Sequence, residues 1–224
     1  VYVNFDNTYL ELVPATAESD SLGSAHVVLH VDRIADFHEL REWLEDYDEE
    51  EIEVQERKLG SAGNEISWYF EIELEEPEEN AALPTLRTSF LAYHLQAIMA
   101  LGFRPPEDQR LTRAMYLHGT DSPPQTGARD ITSIDVVASP SELERMRFEI
   151  PAAGYRMERS GETTLFEGAG HRIRVTESTE RTGYVVNRIG FVLRGLPSEP
   201  RRIELGATAI ELHTDGSAFW IFNE

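Results

Sequence analysis

The sequence predicts an α+β protein dominated by β-strands, and three observations carry that prediction. Ile66, Trp68, Phe70, Ile72 and Leu74 recur at every second position, with Ser67, Tyr69, Glu71, Glu73 and Glu75 between them. That period marks a strand with one face against a core. Two further strand-like runs, 25–31 and 131–138, each lead directly into a helix signature. From residue 155 onward, short alternating runs are separated by glycine-containing turns.

Taken in order, residues 1–5 and 8–13 alternate apolar and polar positions around Asp6-Asn7 and predict a hairpin. A polar loop, 14–24, leads to the strand 25–31, which Asp32 ends. Ile34, Phe37, Leu40, Leu44 and Tyr47 then recur at helical spacing with charges on the opposite side. Ile52 and Val54 begin another strand, ahead of the period-two run at 66–74. Residues 86–101 are apolar around much of a helical circumference and stop at Gly102, which predicts a largely buried helix with a glycine C-cap. Proline pairs at 105–106 and 123–124 flank 111–117 and predict a connection, 105–128, between halves 1–104 and 129–224.

The second half opens with the strand 131–138 and then Ser139-Pro140-Ser141-Glu142, a capping box with proline at the first helical position. A helix is expected from Pro140 to about Phe148. Strands at 155–159, 163–167 and 171–176 follow, giving the order strand, helix, strand, strand, strand. Runs at 186–193, 201–205, 208–213 and 218–222 complete the chain, with no helix evident among them.

Composition narrows the function classes. The chain of 224 residues carries a formal charge of -21, and Lys58 is its one lysine. A groove tracking nucleic-acid phosphates is disfavoured on that balance. With no cysteine, disulfides, zinc–thiolate sites and cysteine nucleophiles are excluded, and a reducing, cytoplasmic location is expected. No apolar run reaches the roughly 20 residues of a membrane-spanning helix. Phosphate-binding glycine loops, the His-Glu-x-x-His pattern and a serine nucleophile elbow are also missing from the sequence.

The strand-helix-strand-strand-strand order, together with a strand of the form aromatic-Leu-Glu-Leu, resembles the vicinal oxygen chelate superfamily of glyoxalase I and bleomycin-resistance proteins. Residues 8–13, Thr-Tyr-Leu-Glu-Leu-Val, are similar to the last strand of one βαβββ module, and residues 26–32, His-Val-Val-Leu-His-Val-Asp, to the first strand of the next. Residues 66–70 and 111–117 look like parts of an uncharacterised bacterial family related to that superfamily. The resemblance implies cupped, mainly antiparallel mixed sheets built from βαβββ modules, with helices on the outer face. It implies an incomplete opening module, with some natural N-terminus expected before Val1.

In the metal enzymes of that superfamily, first-strand His or Gln and last-strand Glu hold one divalent ion. Carried over, Glu11 and Glu73 (or Glu71) are last-strand carboxylates, His26 is a first-strand imidazole, and Glu211 is a further acidic candidate. The pattern breaks at Ser133, where a His is expected, and at Arg174, near an expected Glu. Each candidate also has a plainer account: His26 as a strand-end histidine bonded to backbone, Glu11 and Glu211 as solvent-facing strand residues. His26 and His30 lie about 13 Å apart along one strand at 3.3 Å per residue, so they cannot share an ion.

Three function classes follow. The leading one is a small-molecule-binding module whose cup is lined by Tyr9, Trp68, Tyr69 and Trp220, without a full metal site. The alternatives are a lyase, isomerase or dioxygenase using a divalent metal, and a structural protein whose open sheet edge pairs with a second copy as a homodimer.

Overall fold

The structure, a computed structural model, describes residues 2–4, 9–11, 25–31, 33–48, 52–60, 64–73, 86–100, 102, 104, 107–108, 111, 127–168, 170–181 and 183–222. The chain divides into two compact units. Val1–Ala25, Glu78–Leu86 and Pro124–Glu224 form one, and His26–Pro77 with Arg87–Pro123 form the other. The opening hairpin is present as β1 (Tyr2–Asn4) and β2 (Tyr9–Glu11), paired antiparallel with Tyr2 opposite Glu11. Of the proposed connection 105–128, most lies outside the described residues.

The next four strands make one sheet. They are β3 (Ala25–His30), β4 (Val54–Leu59), β5 (Ile66–Glu73) and β6 (Leu86–Tyr93), in the spatial order β3-β6-β5-β4. Between β3 and β4 runs α1 (Ile34–Asp48). Its apolar stripe behaves as the spacing predicts, with Phe37, Leu40 and Leu44 buried. Charged pairs such as Arg41–Glu45 line its more exposed side. In β5, Ile72 is fully buried and its neighbour Glu71 is held by Arg57 at 3.3 Å.

Residues 86–93 correct the sequence reading. The expected helix 86–101 is a strand, β6, followed by a short helix α2 (Leu95–Ala100). Thr88 through Tyr93 are all buried, because β6 sits between β3 and β5 in the sheet. A strand buried on both faces loses its alternation and reads as continuously apolar, like a buried helix. The turn that begins α2 is made by His94, whose Nδ1 accepts the Gln96 N–H at 3.1 Å. Gly102, with φ +84, follows the helix as anticipated, and its N–H donates to the Met99 carbonyl.

The remaining strands form an eight-stranded sheet. β7 (Ala128–Ala138) leads to α3 (Pro140–Ala152), then β8 (Arg156–Ser160), β9 (Thr163–Gly168) and β10 (His171–Glu177). β11 (Tyr184–Leu193), β12 (Arg201–Leu205), β13 (Thr208–Leu212) and β14 (Ser217–Phe222) complete it in the order β12-β13-β14-β11-β7-β10-β9-β8. Within this sheet β7 and β10 pair in parallel and every other neighbouring pair is antiparallel. The fold is thus α+β with mixed, mostly antiparallel sheets, and the predicted βαβββ unit spans β7 to β10. Its helix starts where the capping box places it, with the Glu142 N–H donating to Ser139 Oγ at 3.4 Å. It continues past the expected Phe148 to Ala152, with Leu143, Met146 and Ile150 buried on one stripe.

One topological rule organises both sheets. β3, β4, β5 and β6 stand in the spatial order first-fourth-third-second, and so do β7, β8, β9 and β10. β11 to β14 repeat that order, but residues 194–200 replace the crossover helix. Without a crossover, each strand must reverse direction from the last, so β14 runs antiparallel to β11 where β10 runs parallel to β7.

After α3, Tyr155 lies flat over Gly168, where an added Cβ would come within 2.8 Å of the ring. Burial pushes the Tyr155 phenol up to about 12. Between pH 10 and 12 the folded state therefore keeps a proton that the unfolded state has lost. Stability should be unaffected below about pH 10 and fall by about 2 kcal/mol as pH rises through that window. Urea midpoints on either side of it, in the parent and in Tyr155→Phe, check this. The variant should lose less stability with rising pH than the parent.

Candidate functional site

The two faces of the eight-stranded sheet differ in chemistry. Side chains alternate along a strand, and residues directly opposite on neighbouring strands share a face. One face gathers Thr164, Phe166, Ile173, Val175 and Val136, all buried on the side that α3 covers. It continues into Ile131, Ile189, Phe191 and Ala218, with Trp220 and Phe222 packed alongside.

The other face is polar and open, and the ladder registers align its residues in rows. Across one row stand Arg156, Glu167, Arg172, Ser133, Gly190, Phe219, Glu211 and Arg202. Across the next stand Leu165, Arg174, Asp135, Arg188 and Ile221. At the middle of the sheet, Arg188 Nε donates to Asp135 Oδ2 at 2.7 Å, and Arg174 Nη1 approaches the same oxygen at 3.7 Å. Arg188 also lies over the Phe219 ring, 4.6 Å from its centroid, an attraction of cation to ring quadrupole. A bulge at Asn187 shifts the β11–β7 register and brings Arg188 opposite Asp135.

Gly190 supports this arrangement by lacking a side chain. A Cβ there would lie 2.3 Å from Ser133 Oγ and 3.2 Å from the Phe219 ring. Ser133 and Phe219 thereby occupy the space a side chain at 190 would fill. Along the same face, Glu167 accepts Arg172 Nε at 2.8 Å and lies 3.4 Å from Arg156 Nη2. A recess of about 350 Å³ opens beside them, lined by Arg156, Glu167, His171 and Arg172. In a chain of charge -21, β10 and β11 thus present Arg172, Arg174 and Arg188 on one face, Arg174 and Arg188 around Asp135 of β7 and Arg172 paired with Glu167.

The residues singled out from sequence stand on several different strands. Glu11 and Tyr9 lie on β2, His26 on β3 and Glu73 on β5; their side chains fall outside the described residues. Glu73 stands on the third strand of its module, not the last. The last is β6, whose sequence, Leu-Arg-Thr-Ser-Phe-Leu-Ala-Tyr, contains no acidic residue. Glu11 belongs to one compact unit, and His26 and Glu73 to the other. Glu211 accepts Arg202 Nη1 at 2.7 Å and lies 3.9 Å from His213 Nε2. Trp220 is on the sheet face opposite to Glu211, packed at 4.8 Å on Phe222, its indole N–H donating to Thr208 Oγ1 at 3.0 Å. Trp68 and Tyr69 are consecutive in β5 and point to opposite sides of it. Burial, then the nearby Glu71 charge, raises the Tyr69 phenol above its ordinary value. Among the described residues no three His, Asp or Glu side chains are grouped as a metal would require.

Ser133 and Arg174 do occupy the first and last strands of their module, as the resemblance placed them. Asp135 and Arg188, which complete the cluster with Arg174, had no signal of their own in the sequence.

The sequence pattern of one family runs the length of the chain, from residue 2 to residue 222. The chain belongs to a family of unknown function, DUF5829. Among solved structures, it is similar to a hypothetical protein from Staphylococcus aureus, at 10% identity and a TM-score of 0.40, over 80% of this chain and 61% of that one. It is also similar to a provisionally named dioxygenase from Bacillus subtilis, at 10% identity and a TM-score of 0.28, over 88% of this chain and 62% of that one. The chain therefore spans about three-fifths of the length of both. No curated protein matches the sequence. Among the described residues, no helix of this family member is long and apolar enough to cross a membrane.

Proposed function

We propose that this chain is a glyoxalase-like, small-molecule-binding module that takes an anionic ligand on the open face of its eight-stranded sheet without a metal ion. The observation that carries the reading is the central cluster. Where a chelate-type enzyme would place metal ligands on the first and last strands of the module, this chain places Ser133 and Arg174. The one carboxylate there, Asp135, is engaged by Arg174 and Arg188. A divalent ion at Asp135 would have to displace a guanidinium and sit among like charges, whereas a ligand carboxylate would be drawn to Arg174, the more exposed of the two arginines beside Asp135. The repeated first-fourth-third-second strand order supports the wider relationship to the vicinal oxygen chelate superfamily.

The chemistry of the face also suggests the rest of the ligand. Phe219, Ile221 and Leu165 lie beside the arginines, so a small planar acid could rest its apolar part on them and its carboxylate on Arg174.

A thermal-shift panel of aromatic and aliphatic carboxylates, with the matching neutral amides, tests this. At a concentration of about 100 Kd an acid adds about 2.7 kcal/mol. For a chain this size that is a rise in Tm of about 5–10 °C. Amides should give no rise, and Arg174→Ala should abolish the response to acids. A panel in which no acid shifts Tm, or in which acids shift Arg174→Ala as much as the parent, would sink the proposal. A divalent metal bound at near one equivalent per chain, and released by both Glu11→Ala and His26→Ala, would instead support the metal-dependent enzyme.

A further inference from the structure

The eight-stranded sheet ends at β12, and that edge is unusually inviting for another strand. All five of its residues are exposed, including Ile203 at 45% and Leu205 at 48%. Leu196, in the segment leading into it, is 74% exposed. Edge strands of soluble proteins are commonly blunted by charged side chains, lysine above all, by proline or by a bulge; the charges of β12 alternate in sign at Arg202 and Glu204 and so complement a second copy. β12 reads Arg-Arg-Ile-Glu-Leu, has neither lysine nor proline, and pairs with β13 without a register shift.

Backbone geometry fixes which groups face outward. Leu205 and Thr208 close a two-residue turn at Gly206-Ala207, with Gly206 at φ +64. The closing pair of such a turn exchanges both backbone hydrogen bonds. Arg201, Ile203 and Leu205 therefore direct their backbone groups toward β13, and Arg202 and Glu204 direct theirs to the open edge.

We propose that β12 pairs antiparallel with the β12 of a second copy of this chain, about a two-fold axis through Ile203. Centred there, Arg202 and Glu204 of one copy lie directly opposite Glu204 and Arg202 of the other, and their outward N–H and C=O groups form the hydrogen-bonded pairs of the new ladder. The two Ile203 side chains meet on the axis. Moving the centre to Arg202 or Glu204 would set like charge against like charge, which disfavours those registers. Arg202 already approaches Glu204 at 2.6 Å and Glu211 at 2.7 Å within one chain, so a second carboxylate from across the axis extends an existing pattern. The opposite edge, β8, also alternates Arg156 and Glu158, but Met157 is its one large exposed apolar side chain. The apolar contribution to pairing thus favours β12.

Analytical ultracentrifugation of the full chain over a concentration series tests this. The parent should dimerise, while R202E and E204R, each placing like charges opposite one another, should be monomeric with unchanged circular dichroism. Mixing those two variants should restore a dimer, because all charges across the axis are then opposite, and R202E/E204R should dimerise alone. M157K should behave as the parent, and I203K should be monomeric. A parent that stays monomeric into the sub-millimolar range would overturn the proposal, as would dimers in R202E and E204R alone, a mixture that remains monomeric, or dissociation by M157K but not I203K. Rescue by mixing separates a lost contact from a damaged fold, since a misfolded variant would not be repaired by its partner.

Discussion

Arg145→Ala is expected to destabilise the protein by about 3–5 kcal/mol, the cost of breaking a buried ion pair by removing one partner. Arg145 lies in α3 between two carboxylates of the same helix. Its Nη2 donates to Glu142 at 2.9 Å and its Nη1 to Glu149 at 2.8 Å. Glu142 and Glu149 are 7% and 4% exposed, so without the guanidinium both charges face a poorly solvated surrounding and each other. Burial lowers the Arg145 guanidinium, and Glu149 and Glu142 together outweigh that and hold it above its ordinary value. Because the penalty comes from two buried carboxylates that have lost the guanidinium between them, E142Q/R145A/E149Q should recover much of the loss. Denaturant midpoints for the three chains check this. A loss below about 1 kcal/mol in the single variant would mean that Arg145 is not what offsets the burial of the two carboxylates.

The second large effect concerns the two cores. Phe37→Ala and Phe166→Ala should each cost about 3–5 kcal/mol, the usual price of a large-to-small change in a packed interior. Both rings are wholly buried. Phe37 lies on the inner stripe of α1, stacked at 6.3 Å on Phe70 of β5. Phe166 stands in β9 between Met157 and Ile173, on the face that α3 covers. They belong to different compact units, so amide hydrogen exchange should show the largest loss of protection in β3 to β6 for Phe37→Ala and in β7 to β10 for Phe166→Ala. Equal loss throughout in both variants would show that the units unfold as one.

Much of this fold follows from local chemistry. The period-two run of β5, the apolar stripe of α1 and the Ser139 capping box each specify their element within a dozen residues, because the determining interactions lie within one strand or one helical turn. The glycine turns at 161, 170, 206 and 216 have positive φ and set the C-terminal strands for the same reason. The βαβββ unit of β7 to β10 and the four strands after it are therefore legible in the sequence.

Tertiary structure decided two things. Residues 86–93 are a strand because β3 and β5 flank them and bury Thr88 to Tyr93; local pattern cannot distinguish a segment buried all round from a buried helix. The central cluster was equally hidden. Asp135, Arg174 and Arg188 are far apart in the chain, and they meet only because β7 pairs with β10 in parallel and with β11 across a bulge at Asn187. Ser133 and Arg174 were legible as departures from a metal-binding pattern. That they stand beside an arginine-clamped aspartate depends on strand register, a one-residue slip of which would turn every side chain to the other face.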